Sequence, residues 1–396
     1  MSLFNKVSTI ILLAFLTVFA LLFAVLPDKA FSEMENRVLQ QRPLFSREDL
    51  FSGKFSLAAE KYLADQFAFR GMWVGIKSAA ELVLQKKDNN GVYFGKDGYL
   101  LQKPEKLNTE LLSENIAAIN QFAAAHPARV SFLLAPSSVQ ILDDKLPAFA
   151  EPRPALALPA LIKRQLSPAV RWIDPSRALA AHKREYIYYK TDHHWTARGA
   201  YYAYWEAGPA LGFKPLESDD FIVEQVSDCF YGTLQAKSSY RPLQPDVIEV
   251  FKPKKETPCR VEYVHEKKLS KSLFVGKHLQ RKDKYAFFLG GNHALLRVTA
   301  QNQTGRKLLL IKDSFANNFV PFLVSHYSEI HILDLRHFNL PLQPYIEQYG
   351  LDEILLVYNA LSLAEDAAIR KISPATPGGG PRCCEDGTNN AEGSLQ

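Results

Sequence analysis

The chain has 396 residues, enough for two or more domains or for one decorated α/β domain of about 250 residues. Hydrophobic residues make up 47% of it, aromatic residues 12% and charged residues 22%, which excludes a largely disordered protein. The 47 basic and 42 acidic residues are mixed along the sequence, so the net charge of +5 does not indicate nucleic acid binding. It allows a mild attraction to anionic polymers of the cell envelope.

The N-terminus contains an uncharged apolar segment over residues 7–26. This segment is long enough to cross a bilayer as a helix, whereas the apolar core of a signal peptide usually has about 7 to 15 residues. Lys6 precedes it and acidic residues such as Asp28 and Glu33 follow it, which favours a cytoplasmic N-terminus. The sequence therefore predicts a single-pass anchor over residues 1–27 with the rest of the chain outside the cytoplasm. A cleaved signal peptide is the alternative.

Residues 28–105 are predicted to form a juxtamembrane segment. Apolar residues at helical spacing predict an amphipathic helix over about 51–85, in which Asp65 and Arg70 are interpreted as a surface ion pair or a helix-end contact. A Lys-Asp-Gly turn between two apolar runs predicts a hairpin over 92–101.

Predicted strands and helices alternate along residues 106–373. Strands are predicted at 130–135, 170–173, 308–312, 330–335 and 353–358, and helices at 109–125, 157–165, 197–211, from Ser314 onward and at 340–349. This alternation predicts a parallel sheet flanked by helices, with ligands at the carboxyl ends of the strands. A proline-rich region with strand-like fragments, residues 216–285, is predicted to be a β-rich insertion, and residues 374–396 a disordered tail.

The cysteines give little functional information. Cys229 and Cys259 allow one disulfide in an oxidising compartment, while Cys383 and Cys384 have no partners at metal-ligand spacing. An Asp-His-His metallophosphoesterase would need further clusters of ligands, which the sequence lacks. No metal or cofactor is predicted.

Two short segments contain the candidate catalytic residues. Asp192-His193-His194-Trp195 follows the second strand, and Ser314 follows an apolar strand near the C-terminus. A serine hydroxyl needs a base, and the base needs a carboxylate to fix its tautomer, so an Asp-x-His pair and a serine predict a nucleophilic site. The open alternatives are a helix-capping role for the serine segment and a buried structural role for either histidine.

Three motifs carry a resemblance to a known family. They are Asp192 to Trp195, Ser32 to Arg37 (SEMENR), and Asn90 to Leu100 (NGVYFGKDGYL). Together they resemble the DHHW family of bacterial surface proteins, which is similar to the alginate O-acetyltransferases. The resemblance covers nearly all of the chain before the tail, and it implies an SGNH-hydrolase-like fold with a permuted order of motifs.

The resemblance also implies roles for individual residues. Ser314 would be the nucleophile, His194 the general base and acid, and Asp192 its orienting carboxylate. Further candidates for oxyanion stabilisation or substrate contact are Asn359, His193, Arg336 and Tyr358. Lys312 departs from the pattern, because SGNH enzymes usually have glycine there, and the loop from Arg336 to Phe338 lacks the glycine of the second oxyanion block.

The predicted function is that of a membrane-anchored, extracytoplasmic O-acetyltransferase or acetylesterase that acts on a cell-envelope polysaccharide. The resemblance implies a membrane-bound O-acyltransferase as the partner that supplies acetyl groups. A non-catalytic envelope protein that binds or scaffolds polysaccharide is the alternative, and the Lys312 departure favours it.

Overall fold

The structure, a computed structural model, describes residues 3–32, 35, 37–104, 107–127, 129–240 and 243–373. The predicted tail, including Cys383 and Cys384, lies outside the described residues, as do Glu33, Met34 and Asn36 of the SEMENR motif.

The described part of the chain contains both α-helices and β-strands. The α-helices are α1 (Leu3–Val25), α2 (Arg47–Phe51), α3 (Lys54–Asp65), α4 (Arg70–Val83), α5 (Thr109–Ala125), α6 (Ser138–Ile141), α7 (Arg153–Gln165), α8 (Ser176–Ala181), α9 (Ala197–Ala210), α10 (Thr233–Ser238), α11 (Val320–Leu323), α12 (Leu342–Tyr349) and α13 (Ala360–Glu365). The strands are β1 (Phe31–Ser32), β2 (Arg37–Val38), β3 (Asp88–Asn89), β4 (Val92–Phe94), β5 (Leu100–Gln102), β6 (Val130–Ala135), β7 (Arg171–Ile173), β8 (Phe221–Phe230), β9 (Asp246–Pro253), β10 (Cys259–Tyr263), β11 (Lys268–Ser270), β12 (Leu295–Ala300), β13 (Lys307–Lys312), β14 (Glu329–Leu333) and β15 (Glu353–Asn359).

A large sheet of eight strands forms the centre of the fold, in the order β11-β10-β12-β14-β13-β15-β6-β7. The five strands from β14 to β7 are parallel, as predicted. The other three extend the sheet with antiparallel pairing, which the sequence did not predict. The short loop between β10 and β11 permits antiparallel pairing, whereas parallel neighbours need a long crossover.

The region 216–285 is therefore only partly separate from the main sheet. β8 and β9 form their own antiparallel ribbon, but β10 and β11 belong to the large sheet. Cys229 in β8 and Cys259 in β10 lie in different sheets and are free thiols, so the disulfide that their spacing allows is not formed.

Both faces of the parallel strands are buried. Along β13, Leu308 and Leu310 face one apolar cluster, which includes residues of α9, while Leu309 and Ile311 face another, which includes residues of α5, α7, α12 and α13. Each fully buried leucine or isoleucine contributes roughly 1.5–3 kcal/mol to folding. The strand is thus fixed on both sides, and its carboxyl end is a rigid platform for Ser314.

The segment over residues 28–105 differs from its prediction in the helical part. The single helix predicted over 51–85 is divided into α3 and α4, because Phe69 adopts the left-handed conformation with φ of 56°. Asp65 accepts two hydrogen bonds from Arg37, at 2.9 and 2.6 Å, and lies 3.9 Å from Arg70. The predicted ion pair is confirmed, and so is the hairpin, formed by β4 and β5.

Helix α1 has 23 residues, is strongly apolar and has no buried residue. Its length and composition suit a membrane span, a property that it shares with a signal sequence.

Candidate active site

Two loops at the carboxyl edge of the parallel strands bring the predicted residues together. Ser314 follows β13 and begins a short 3-10 turn, Ser314–Asn318, in which Asp313 caps the backbone N–H of Phe315. The Asp313 carboxylate accepts hydrogen bonds from the backbone N–H of Phe315 at 2.9 Å and of Asn359 at 2.7 Å. The Asp-Ser pair is thus a cap and, at the same time, fixes the half-buried serine at the edge of the sheet.

Asp192, His194 and Ser314 form a continuous hydrogen-bonded chain. The Nδ1 atom of His194 lies 2.5 Å from Oδ1 of Asp192, and its Nε2 atom lies 2.7 Å from Oγ of Ser314. With Nδ1 protonated and bonded to the carboxylate, Nε2 is left as the acceptor for the serine hydroxyl. This arrangement can deprotonate Ser314 and return the proton to a leaving group.

Asp192 is buried in a cradle made by the start of α10. Its second oxygen, Oδ2, accepts hydrogen bonds from the backbone N–H of Thr233 at 2.8 Å and from the Thr233 hydroxyl at 3.0 Å. Burial would raise the pKa of Asp192, but attraction to His194 and His193 and these hydrogen bonds outweigh it and hold that pKa well below its usual range. The carboxylate is therefore charged when the site is assembled.

A second buried carboxylate, Asp246 at the start of β9, fixes the loop before Asp192. It accepts hydrogen bonds from the backbone N–H groups of Lys190 and Thr191, both at 2.7 Å, and from the hydroxyls of Thr191 and Tyr186. The Thr191 hydroxyl in turn accepts from the backbone N–H of Gly232 at 2.9 Å. The loop before Asp192 is thereby joined to the start of α10. The position of Asp192 thus depends on the contacts of Asp246 and Thr191 as well as on its own.

Trp195 connects the two halves of the site. Its indole N–H lies 2.9 Å from the carbonyl oxygen of Phe315 and 2.7 Å from Oδ1 of Asn318. The amide of Asn318 donates back to the carbonyl oxygen of Trp195 at 2.9 Å. The tryptophan of the Asp-His-His-Trp segment thus fixes the histidine loop against the serine turn.

His193 lies beside the hydrogen-bonded residues Asp192, His194 and Ser314. Its Nδ1 atom lies 2.7 Å from the Thr233 hydroxyl, and its ring lies against that of His194 with centroids 3.8 Å apart and 37° between the planes. Burial and the neighbouring His194 lower the pKa of His193 to about 4, which favours the neutral ring. Donor atoms of Asp192, His193 and His194 lie within 4.8 Å of one another, but a metal at His194 would displace Asp192 or Ser314 from its ring.

Asn359 lies close to the site, but its side chain is already occupied. Its amide nitrogen donates to the carbonyl oxygen of Ala135 at 2.9 Å and to the hydroxyl of Ser137 at 3.2 Å, and its oxygen caps α13. These contacts join β15 to the end of β6 and leave no amide hydrogen for an oxyanion. The structure therefore shows Asn359 joining two strand ends, and its predicted part in oxyanion or substrate binding stays a prediction.

Arg336 and Tyr358 are not part of the hydrogen-bonded chain. Arg336 makes two hydrogen bonds to the buried carboxylate of Asp334, at 2.8 and 2.6 Å. The Tyr358 ring is buried in the apolar cluster with α5 and α13, and its hydroxyl has no hydrogen-bond partner among the described residues. These contacts agree with a structural role for both side chains.

Lys312, the residue at the usual glycine position, is buried and contacts a cluster of polar side chains. Its Nζ atom donates to Oδ1 of Asn292 at 2.8 Å and to Oδ1 of Asn317 at 2.7 Å, and it lies 3.8 Å from Asp334. The lysine therefore leaves the contact between His194 and Ser314 intact.

Sequence reasoning missed several residues of the site. Tyr285 stacks on His194 and donates a hydrogen bond to the carbonyl oxygen of Ser314 at 3.0 Å. Thr233 and Asp246 come from the same stretch, 216–285, which was predicted to be an insertion.

Comparisons with known proteins agree with the fold. Residues 172–333 match the family model described as DHHW protein. A DHHW family protein from Eubacterium siraeum has a similar structure, with 25% identity and a TM-score of 0.62, covering 73% of this chain and 97% of that chain. Bacillus cereus PatB1, solved with a sulfonyl adduct, is 22% identical with a TM-score of 0.59, and the match covers 69% of this chain and 96% of that chain. No curated protein matches.

The matched residues, 172–333, contain Asp192, His194 and Ser314. The resemblance of this chain to the DHHW family is confirmed.

Proposed function

We propose that this protein is a serine-dependent O-acetyltransferase or acetylesterase that acts on a cell-envelope polysaccharide. The observation that supports this function most strongly is the chain of contacts from Asp192 through His194 to Ser314, with distances of 2.5 and 2.7 Å. The acetyl group and the polysaccharide follow from the resemblance to the alginate O-acetyltransferases.

The first half-reaction transfers the acetyl group to the enzyme. Ser314 Oγ attacks the carbonyl carbon of an acetyl ester while its proton passes to Nε2 of His194, and Asp192 stabilises the imidazolium. When the tetrahedral intermediate collapses, the bond to the leaving alcohol breaks and that alcohol takes the proton from His194. The product is acetyl-Ser314.

The second half-reaction transfers the acetyl group to an acceptor. A glycan hydroxyl, or water, gives its proton to Nε2 of His194 and attacks the acetyl carbonyl. Collapse returns that proton to Ser314 and releases an acetylated glycan or acetate. Whether the acceptor is sugar or water decides between transferase and esterase.

The oxyanion of each intermediate needs a donor close to Ser314. The backbone N–H of Ser314 opens the turn, and no acceptor for it is found among the described residues. We assign the first oxyanion donor to this group, because the amide of Asn359 is occupied. One correctly placed donor contributes roughly 3–4 kcal/mol to transition-state stabilisation.

We also propose the setting in which the reaction occurs. Helix α1 anchors the chain with its N-terminus in the cytoplasm and the catalytic part, about residues 106–373, outside. A membrane-bound O-acyltransferase supplies the acetyl group. The motif order is permuted relative to SGNH enzymes, because the Ser314 strand β13 and its neighbours β14 and β15 follow β6 and β7 in sequence but precede them in the usual order.

Intact-mass spectrometry of the full chain in detergent, incubated with p-nitrophenyl acetate, tests the nucleophile. The parent protein should gain one acetyl group transiently, and the Ser314→Ala and His194→Ala variants should not. Ser138→Ala is a matched control, because Ser138 also follows a parallel strand but does not contact His194. A phenylmethylsulfonyl fluoride adduct at Ser314 would support the same assignment.

The acceptor is tested by adding chitopentaose to the acetylated protein. Acetylated sugar indicates a transferase, and acetate alone an esterase. If the parent protein never gains an acetyl group and releases no nitrophenol, the catalytic proposal fails and the polysaccharide-binding alternative replaces it.

A further inference from the structure

Helix α4 exposes an apolar stripe on one face. Phe69, the residue just before the helix, lies at the start of this stripe, and Met72, Trp73 and Ile76 follow it within α4 at helical spacing. Their exposed fractions are 59, 42, 37 and 52%, respectively. A stripe of this size on a globular protein indicates a contact surface.

The other face of α4 packs against the catalytic part of the chain. Ser78 is buried, and its hydroxyl donates to the carbonyl oxygen of Ser238, the last residue of α10, at 3.0 Å. Asn89 donates to the same two groups. The apolar stripe therefore points away from the protein body because the opposite face is already fixed to it.

Helix α1 is joined to this region by aromatic and polar contacts. Phe19 stacks on Phe67 with centroids 5.0 Å apart and lies 6.0 Å from the Trp73 ring, and Phe23 packs edge-on against Tyr62 at 5.6 Å.

The chain just after α1 is fixed to the same helices. The Tyr62 hydroxyl donates to the Asp28 carboxylate at 3.0 Å, and the backbone N–H of Lys29 donates to Gln66 at 2.9 Å. The end of α1 thus has a defined position beside α3 and α4.

The contacts with α1 determine how deep the apolar stripe of α4 would lie relative to a membrane that α1 spans. Phe19 precedes Val25, the last residue of α1, by six residues, or about 9 Å along the axis. At ~1.5 Å per residue, α1 has about the length of the ~30 Å hydrocarbon core, so Phe19 lies below the membrane surface when Val25 is at the boundary. Phe67 and Trp73, which touch Phe19, then lie at the interface, where aromatic rings are favoured.

We propose that the stripe of α4, with Phe67, docks on the outer surface of the lipid bilayer beside α1. This inference rests on the proposed membrane anchor. The occupant is lipid, because the stripe continues directly from the contact with a helix whose length and composition fit a bilayer. The docked α4 holds α10, and with it Thr233 and Asp192, at a fixed height above the membrane.

The chain offers two matched reporters for a test, since Trp73 on α4 and Trp205 on α9 have the same exposed fraction, 37%. The full chain is placed in nanodiscs of phosphatidylcholine brominated in the upper part of the acyl chains. Comparison of the parent with Trp73→Phe and Trp205→Phe isolates the fluorescence of each ring. We expect the Trp73 contribution to lose most of its intensity to bromine and to resist iodide, and the Trp205 contribution to behave in the opposite way.

Two results would overturn the docking. One is equal quenching of both rings by iodide with no effect of bromine, which places the stripe in water. The other is shielding of Trp73 from both quenchers, which means that protein, either α1 or a second copy of the chain, covers the ring instead of lipid. A Phe69→Trp change in the Trp73→Phe chain moves the reporter along the same stripe and should repeat the result.

Carbonate extraction of proteoliposomes separates this inference from the anchor. A chain that carbonate removes lacks an inserted α1, and the proposed anchor fails. A chain that resists extraction while Trp73 stays open to iodide overturns the docking alone. Hydrolysis of p-nitrophenyl acetate reports on the active site independently of both.

Discussion

The imidazole of His194 lies flat against the ring of Tyr285, with centroids 3.9 Å apart and 12° between the planes. The same tyrosine donates a hydrogen bond to the carbonyl oxygen of Ser314 at 3.0 Å. One side chain therefore contacts both the proposed base and the backbone of the proposed nucleophile.

Two changes at Tyr285 separate these contacts. Tyr285→Phe keeps the stack and loses one hydrogen bond, worth ~1 kcal/mol, so kcat/KM for p-nitrophenyl acetate should fall about fivefold. Tyr285→Leu also loses the aromatic contact, and the fall should approach about 50-fold. Equal rates for the leucine variant and the parent would show that the stack does not hold His194.

Asp192→Asn should lower kcat by roughly 10³–10⁴-fold, because an amide neither fixes the His194 tautomer nor stabilises the imidazolium. The asparagine NH₂ would also face the donors of Thr233 or His194. Asp228→Asn, at an exposed carboxylate of β8, is the control and should keep the parent rate. Steady-state hydrolysis of p-nitrophenyl acetate measures both, and a fall of less than tenfold for Asp192→Asn would contradict the proposed role.

Gly232→Ala should damage the cradle of Asp192. A Cβ atom at Gly232 would lie 2.2 Å from Cβ and 2.4 Å from Oδ2 of Asp192, so the carboxylate must move. We expect a loss of about 1–3 kcal/mol in the free energy of unfolding, with a fall in kcat. Gly276→Ala, where nothing lies within 4 Å of the added atom, should be nearly neutral. Thermal unfolding and kinetics on both variants check this, and similar behaviour of the two would argue against a tight cradle.

Lys312 predicts a pH dependence of stability. Burial lowers its pKa to about 8, since attraction to Asp334 only partly offsets the loss of water, whereas in the unfolded chain the pKa is near 10.5. Between these values the unfolded state holds one more proton, so this group makes the protein more stable as pH rises, by up to ~1.4 kcal/mol per pH unit.

Unfolding of the parent and of Lys312→Met between pH 7.5 and 10 measures this contribution. The difference in stability between the parent and the variant should shift in favour of the parent as the pH increases. Parallel curves would mean that the lysine keeps an ordinary pKa. Lys252→Met, at a half-exposed lysine of β9, controls for the loss of a positive charge.

Local patterns in the sequence predicted the elements that depend on local chemistry. The apolar runs ending at Lys312 and Tyr358 predicted β13 and β15, and the hairpin followed from one Lys-Asp-Gly turn. The break between α3 and α4 was not predictable in this way, because it depends on a left-handed Phe69 and on contacts of Asp65 with a distant Arg37.

The candidate site shows the same division. Asp192, His194 and Ser314 could be predicted from the sequence, because a serine nucleophile requires a histidine base and a carboxylate that orients this base. Thr233, Asp246 and Tyr285 act through single contacts across the fold, and no spacing in the sequence indicates them. Asn359 is a residue at the expected strand end whose contacts with Ala135 and Ser137 became visible only in three dimensions.

The position of β15 in the sheet has a consequence for how the protein matures. β15 lies between β13 and β6, so it joins the serine half of the sheet to the strand that precedes the histidine loop. This last strand ends at Asn359, whose amide also holds the end of β6. During synthesis the two halves have no shared strand until this late stretch emerges. A partly made chain therefore carries Ser314 without its completed platform, and reactivity should appear only once the sheet is closed.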